Sequence, residues 1–181
     1  MHKVLVIVGS LREGSLNAKL AGVLEKLAEG RLEFEYADLT DLPLYNDDLW
    51  SDVPEAVTRL KASVEAADGV LFVTPEYNRT FPGLIANVIH WASRPYGKNS
   101  WGGKPVAITG TSPGVIGTAA AQALLRSVLV SVGTVLMGQP ELYFAFKDGL
   151  VDDDLNVTNE ETEKFLANWI GSFADWIEKH G

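Results

Sequence analysis

The stretch Val4–Asn17, VLVIVGSLREGSLN, constrains the fold more than any other part of the chain. Val4, Leu5, Val6, Ile7 and Val8 form an unbroken, β-branched apolar run that stops at Gly9. A run this short and this apolar reads as a strand buried on both faces of a sheet. Gly9, Ser10, Arg12, Gly14, Ser15 and Asn17 follow, and then Leu16, Leu20, Val23, Leu24 and Leu27 recur at helical spacing. Strand, Gly/Ser loop and helix start, in that order, make an anion site. The loop offers amides and hydroxyls, the helix end carries roughly half a positive charge, and Arg12 adds a permanent planar cation. A phosphate-bearing ligand is the first expectation. The alternative is a polar turn in which Ser15 does no more than cap the helix.

The same unit repeats along the chain. Gly69–Thr74 and Pro105–Thr109 are further buried apolar runs, and each ends in an unusual loop: Pro75-Glu76-Tyr77-Asn78-Arg79, then Gly110-Thr111-Ser112-Pro113-Gly114 with Gly117. Leu32–Ala37 alternates apolar and polar residues, as a strand near a sheet edge does, and a last strand is expected around Thr134–Met137. Helical faces recur at Val57, Leu60 and Val64, at Leu84, Ile85, Val88, Ile89 and Trp91, and at Leu124, Leu125, Val128 and Leu129. Thr158 and Glu161 match a capping box ahead of a final helix whose Phe165, Trp169, Phe173 and Trp176 read as core. Tyr96–Gly103 reads as a surface loop. Five β-α repeats without a linker predict one domain over residues 1–181, an α/β three-layer sandwich with a parallel sheet between helix layers. Ligands of such sheets bind at the carboxyl ends of the strands, which puts all three unusual loops on one edge.

Composition narrows the chemistry. A formal charge of −9 argues against nucleic acid as partner, and the absence of Cys excludes a disulfide framework or a thiol nucleophile. His2, His90 and His180 have no metal-ligand spacing, and Asp152–Asp154 reads as a solvated acidic turn, so no metal site is expected. Five apolar residues before Gly9 suit neither a signal peptide nor a membrane span, so a cytoplasmic location is expected. Gly9-x4-Gly14 departs from the P-loop because Ser15 stands where its lysine belongs, and G-x-G-x-x-G is absent. A single phosphate monoester suits the first loop better. In the second, Pro75 sets the direction of its neighbours' amides and Tyr77 can flank a planar heterocycle. An ordinary surface turn is the competing reading there.

Gly9-Ser10-Leu11-Arg12-x-Gly14-Ser15-x-Asn17, Thr74-Pro75-Glu76-Tyr77-Asn78 and Gly103-Lys104-Pro105 together resemble the NADPH-dependent FMN reductase family, which includes bacterial chromate and quinone reductases. The resemblance implies a flavodoxin-like fold, with a five-stranded parallel sheet of order 2-1-3-4-5. It also implies noncovalent FMN as cofactor and NADPH or NADH as co-substrate. Ser10, Arg12, Ser15, Leu16 and Asn17 would hold the phosphate. Pro75, Glu76, Tyr77 and Asn78 would border the ring, and Thr111, Ser112 and Gly114 would close its other side. No catalytic acid or base is demanded, because the cofactor carries the hydride chemistry. Acceptors would be quinones, azo compounds or metal oxyanions such as chromate. Relatives form homodimers or homotetramers of two dimers. Ala120 and Ala123 stand where longer polar or aromatic side chains are common, so a dimer is expected, with the aromatic helix around Trp91 as a subunit contact. A flavodoxin-type electron carrier and a flavin-sensing module remain as alternatives. Arg79, Arg94 and Lys98 are candidates to meet a 2′-phosphate.

Overall fold

Apolar runs that leave no polar face must be covered on both sides, and the computed structural model of residues 1–181 does this with two helix layers. β1 (His2–Val8) pairs in parallel with β2 (Leu32–Tyr36) on one side and β3 (Gly69–Val73) on the other. β4 (Pro105–Ser112) pairs in parallel with β3. The strand order is 2-1-3-4-5, with β2 at the edge, as its alternating sequence requires.

Alternation along the strands sorts the core into two halves. Val4, Val6, Leu71, Val73 and Ala107 face α1 (Leu16–Leu27) and α5 (Glu160–His180). Leu5, Ile7, Val70, Phe72, Val106 and Ile108 face α2 (Glu55–Ala66), α3 (Gly83–Ala92) and α4 (Ala119–Ser131). Each fully covered Val, Leu or Ile contributes about 1.5–3 kcal/mol relative to exposure. This two-sided packing is what holds the loop-bearing edge rigid. No helix is long and apolar enough to cross a membrane.

The fifth position of the sheet is shared by two short strands. β5 (Val135–Leu136) pairs with Pro105 and Val106, and β6 (Leu142–Ala145) pairs with Thr109–Ser112. β6 carries β4 onward through Gly110–Ser112, residues that the sequence reads as loop. Four residues are too few for an alternating pattern to declare itself, which is why β6 is not legible beforehand.

Other expectations shift with burial. Trp91 is wholly buried, donates through Nε1 to the Pro43 carbonyl (2.8 Å), and packs edge-on against Tyr45 and Trp50. It is core, and not available as a subunit contact. Within the 96–103 loop, Trp101 is fully buried against Phe72, and its Nε1 reaches the Ile89 carbonyl at 3.2 Å. Leu124 and Phe165 are half-exposed, outside the core that their spacing suggests. The cap of α5 is Asn159, whose Oδ1 accepts from the Thr162 amide at 2.9 Å. The Thr158 hydroxyl donates instead to the Gly149 carbonyl, holding the preceding loop. Asn caps as well as Thr, so a one-residue shift costs little. The Asp152 carboxylate accepts from the amides of Asp154 and Asn156, which makes this acidic stretch a capped turn.

Candidate functional site

The loops after β1, β3 and β4 meet at the carboxyl edge of the sheet around a cleft of about 290 Å³. The first loop contributes Ser10, Arg12, Ser15, Leu16 and Asn17 to its lining, the second Pro75, Glu76 and Tyr77, and the third Thr111, Ser112 and Pro113. Of the residues expected from sequence, Asn78 and Gly114 lie outside the lining, and Pro113 is the addition. A larger groove, about 490 Å³, runs between α1 and α5. Its cation, Arg31, is held there by Asp175 (2.6 Å) and the Gly171 carbonyl.

In the first loop, Ser15 caps α1 by accepting from the Ala18 amide at 3.3 Å. Ser15 therefore caps the helix, and the cap leaves most of the loop's donors unused. The amides of Ser10, Leu11, Arg12, Glu13, Gly14, Leu16 and Asn17 find no acceptor within the chain. A row of unpaired donors at a helix N-terminus favours an anion, by direct hydrogen bonding and through the helix dipole. Arg12 is exposed and donates once, to the Gly14 carbonyl at 3.0 Å, which leaves further guanidinium donors unengaged. Gly14, at φ +67°, makes the turn.

Asn17 has a different part from the one its motif suggests. Its side chain is buried. Nδ2 donates to the Thr111 carbonyl at 3.1 Å and Oδ1 accepts from the Thr111 amide at 2.9 Å. The side chain clamps the first loop to the third, and the backbone amide is what Asn17 has to offer an anion. The Thr111 hydroxyl is committed too, donating to the Phe144 carbonyl at 2.7 Å. Ser112 Oγ donates to the Gly114 carbonyl at 3.1 Å.

The second loop is a tight hairpin. Tyr77 and Thr80 exchange both backbone hydrogen bonds at 3.0 Å, and Asn78 (φ +52°) and Arg79 (φ +65°) occupy the two central positions of a type I′ turn. Glu76, expected to border a ring, turns its nearly buried carboxylate to α4. Oε2 accepts from the Ala121 amide at 3.1 Å, while Oε1 accepts from Arg79 Nη1 at the same distance. The residue ahead of α4, Thr118, makes no side-chain cap bond and sits at φ +66°. Glu76 supplies the missing cap from another loop, a negative charge at a positive helix end. Half-exposed Tyr77 is left to present its ring at the cleft.

Close backbone approach holds the three loops together. A Cβ at Gly110 would lie 2.0 Å from the Thr74 carbonyl oxygen, and one at Gly9 2.7 Å from Ile85 and 2.9 Å from Pro75. Arg94 and Lys98 follow the end of α3, at the opposite edge of this chain's sheet, so of the three candidate cations only Arg79 stands at the cleft edge. His90 lies on the exposed face of α3, with its ring edge-on to Tyr45.

Comparison with known proteins agrees with this geometry. The family model described as NADPH-dependent FMN reductase matches residues 2–149. A 2-hydroxy-1,4-benzoquinone reductase of a Burkholderia species is 46% identical over 175 residues, covering 97% of this chain and 96% of that protein. A quinone reductase of Pseudomonas putida is 41% identical over 179 residues, covering 98% and 96%. Among solved structures, the flavoenzyme NAD(P)H:(acceptor) oxidoreductase FerB of Paracoccus denitrificans superimposes with a TM-score of 0.98 at 58% identity, over 100% of both chains. The strand order, the three converging loops and these full-length likenesses lead to one conclusion: the chain belongs to the NADPH-dependent FMN reductase family.

Proposed function

We propose that this chain, acting as a single FMN-binding domain over residues 1–181, passes electrons from NAD(P)H through FMN to quinones. Other small acceptors of the same kind, chromate and azo compounds, belong to the reading. The observation that carries it is the row of unpaired amides from Ser10 to Asn17 at the start of α1, opening into the same cleft as the 75–77 and 111–113 loops. That donor set fits a phosphate monoester. The amides of Ser10, Arg12, Leu16 and Asn17, the Ser10 and Ser15 hydroxyls and the Arg12 guanidinium would hold it. Pro75–Asn78 and Thr111–Gly114 would border the ring, chiefly through their backbone, since the side chains of Glu76 and Thr111 are engaged elsewhere.

FMN held there would supply two-electron hydride chemistry between NAD(P)H and the acceptor. The protein's part is to bind and orient. Amides fixed in a rigid loop stabilise negative charge on a reduced ring without reorganising. The type I′ turn, the Glu76 cap on α4 and the Asn17–Thr111 clamp supply that rigidity. No acid or base side chain is assigned a catalytic role. A homodimer, or a homotetramer of two dimers, and a cytoplasmic location complete the proposal. They are supported by the family's habits and by the lack of a membrane-crossing helix.

Titration of flavin-free protein with FMN and with riboflavin tests the phosphate end. One FMN per chain should bind, and riboflavin, which lacks the phosphate, at least about 100-fold more weakly, as expected when several charge-assisted hydrogen bonds are lost. Equal affinity for the two would refute the assignment of the first loop.

A further inference from the structure

The cleft must also receive a second anion, because a nicotinamide nucleotide carries a diphosphate and NADPH a 2′-phosphate as well. The chain around it is poorly disposed to attract one. Its net charge is −9, and the carboxylates that follow β2 onto the same sheet edge, Asp38 and Asp41, already share Arg59. Arg12 belongs to the phosphate end of the cleft. The two loops that border the ring end, residues 75–80 and 111–118, contain a single cation, Arg79.

Arg79 is held in an unusual way. It occupies the second central position of the type I′ turn at φ +65°, where Gly is favoured and an L side chain is disfavoured. The turn nonetheless carries a long cation whose side chain is 69% exposed. One of its N–H groups donates to Glu76 Oε1 at 3.1 Å. Its remaining guanidinium donors are unengaged, a planar fork suited to phosphate oxygens. Glu76 is itself fixed on the Ala121 amide. The tether therefore holds the guanidinium against Glu76, which lines the cleft together with Tyr77. A backbone outlier that presents an exposed, only partly engaged guanidinium near a cleft is a functional signal where a nucleotide phosphate needs a cation.

We infer that Arg79 is a nucleotide-binding residue that receives a phosphate group of NAD(P)H, an inference that rests on the FMN reading of the cleft. The bond is an exposed charge-assisted pair. It sets affinity for the nucleotide and leaves the cofactor's own phosphate to the first loop.

Calorimetric binding of NADP+ to the FMN-loaded protein and to its Arg79→Gly and Arg79→Gln variants tests the inference. Gly is the residue the turn prefers, so Arg79→Gly removes the charge while keeping the hairpin that presents Tyr77. Arg79→Gln keeps most of the length without the charge. NADP+ affinity should fall about 5- to 20-fold in both variants, the loss of one charge-assisted hydrogen bond. FMN affinity should stay within about twofold. Unchanged NADP+ affinity overturns the inference. So does an equal fall in FMN affinity, which would put Arg79 in the cofactor's own site. A wild-type protein that binds FMN but neither binds NADP+ nor is reduced by NADPH fails at the proposed activity itself, and takes this inference with it.

Discussion

Asn17→Ala removes the clamp between the first and third loops, and its cost can be worked from the structure. Asn17 and Thr111 are both buried, and the two hydrogen bonds join the side-chain amide to the Thr111 N–H and C=O at 2.9 and 3.1 Å. Truncation leaves both backbone groups without partners. Each buried polar group left unsatisfied costs about 1–3 kcal/mol, and water entering from the cleft relieves part of that, so a loss of about 2–4 kcal/mol is expected. For a chain of this length that corresponds to a fall in Tm of about 4–16 °C. The assay is thermal or guanidinium unfolding of flavin-free protein, because bound cofactor would raise the apparent stability of both forms. FMN affinity should fall in parallel, since the clamp sets where the start of α1 lies against the end of β4. A stability change under about 0.5 kcal/mol, with FMN affinity intact, would mean that the clamp does not hold the two loops together.

Arg12→Ala should weaken FMN binding by about 10-fold, the loss of one charge-assisted hydrogen bond of ~1.5 kcal/mol, and change turnover by flavin-loaded enzyme much less. Fluorescence titration alongside steady-state rates checks this. At Asp152, hydrogen bonds from the Asn156 side chain, then from the amides of Asn156 and Asp154, hold the carboxyl below its ordinary 3.8. A depressed folded pKa adds stability above 3.8 that is lost as pH falls through the folded value. The gap in Tm between wild type and Asp152→Asn should therefore be present near neutral pH and close in acid. A gap that persists below the folded pKa would contradict that origin.

The sheet was legible because its central strands carry runs with no polar face, and the layering because alternation along those strands assigns each residue to one side. The cleft was legible for a related reason. Gly, Ser and Thr clusters directly after buried strands have no packing role, and the topology gathers them on one edge. What escaped was contact between residues distant in sequence. Asn17 and Thr111 are 94 residues apart and Glu76 and Ala121 are 45 apart, so no local pattern marks either pair. The motifs assign Asn17, Glu76 and Thr111 to a ligand, and the structure shows that their side chains brace the frame around the cleft. Trp91 and Trp101 show the same limit in the core. The apolar stripe of α3 fits core and subunit contact alike and the 96–103 loop reads as surface, while the residues that cover Trp91, among them Pro43, Tyr45 and Trp50, come from elsewhere in the chain. The type I′ turn was half visible, since Asn78 favours a left-handed backbone and Arg79 does not.

The three loops are proposed to form a working FMN site fed by a nicotinamide nucleotide. The most direct test is the visible spectrum of the flavin-loaded protein, recorded anaerobically before and after NADPH and again after a quinone. The oxidised flavin band should bleach on adding NADPH and return in full with the quinone. A protein that takes up no FMN, or whose bound flavin keeps its oxidised spectrum in excess NADPH, would contradict the claim.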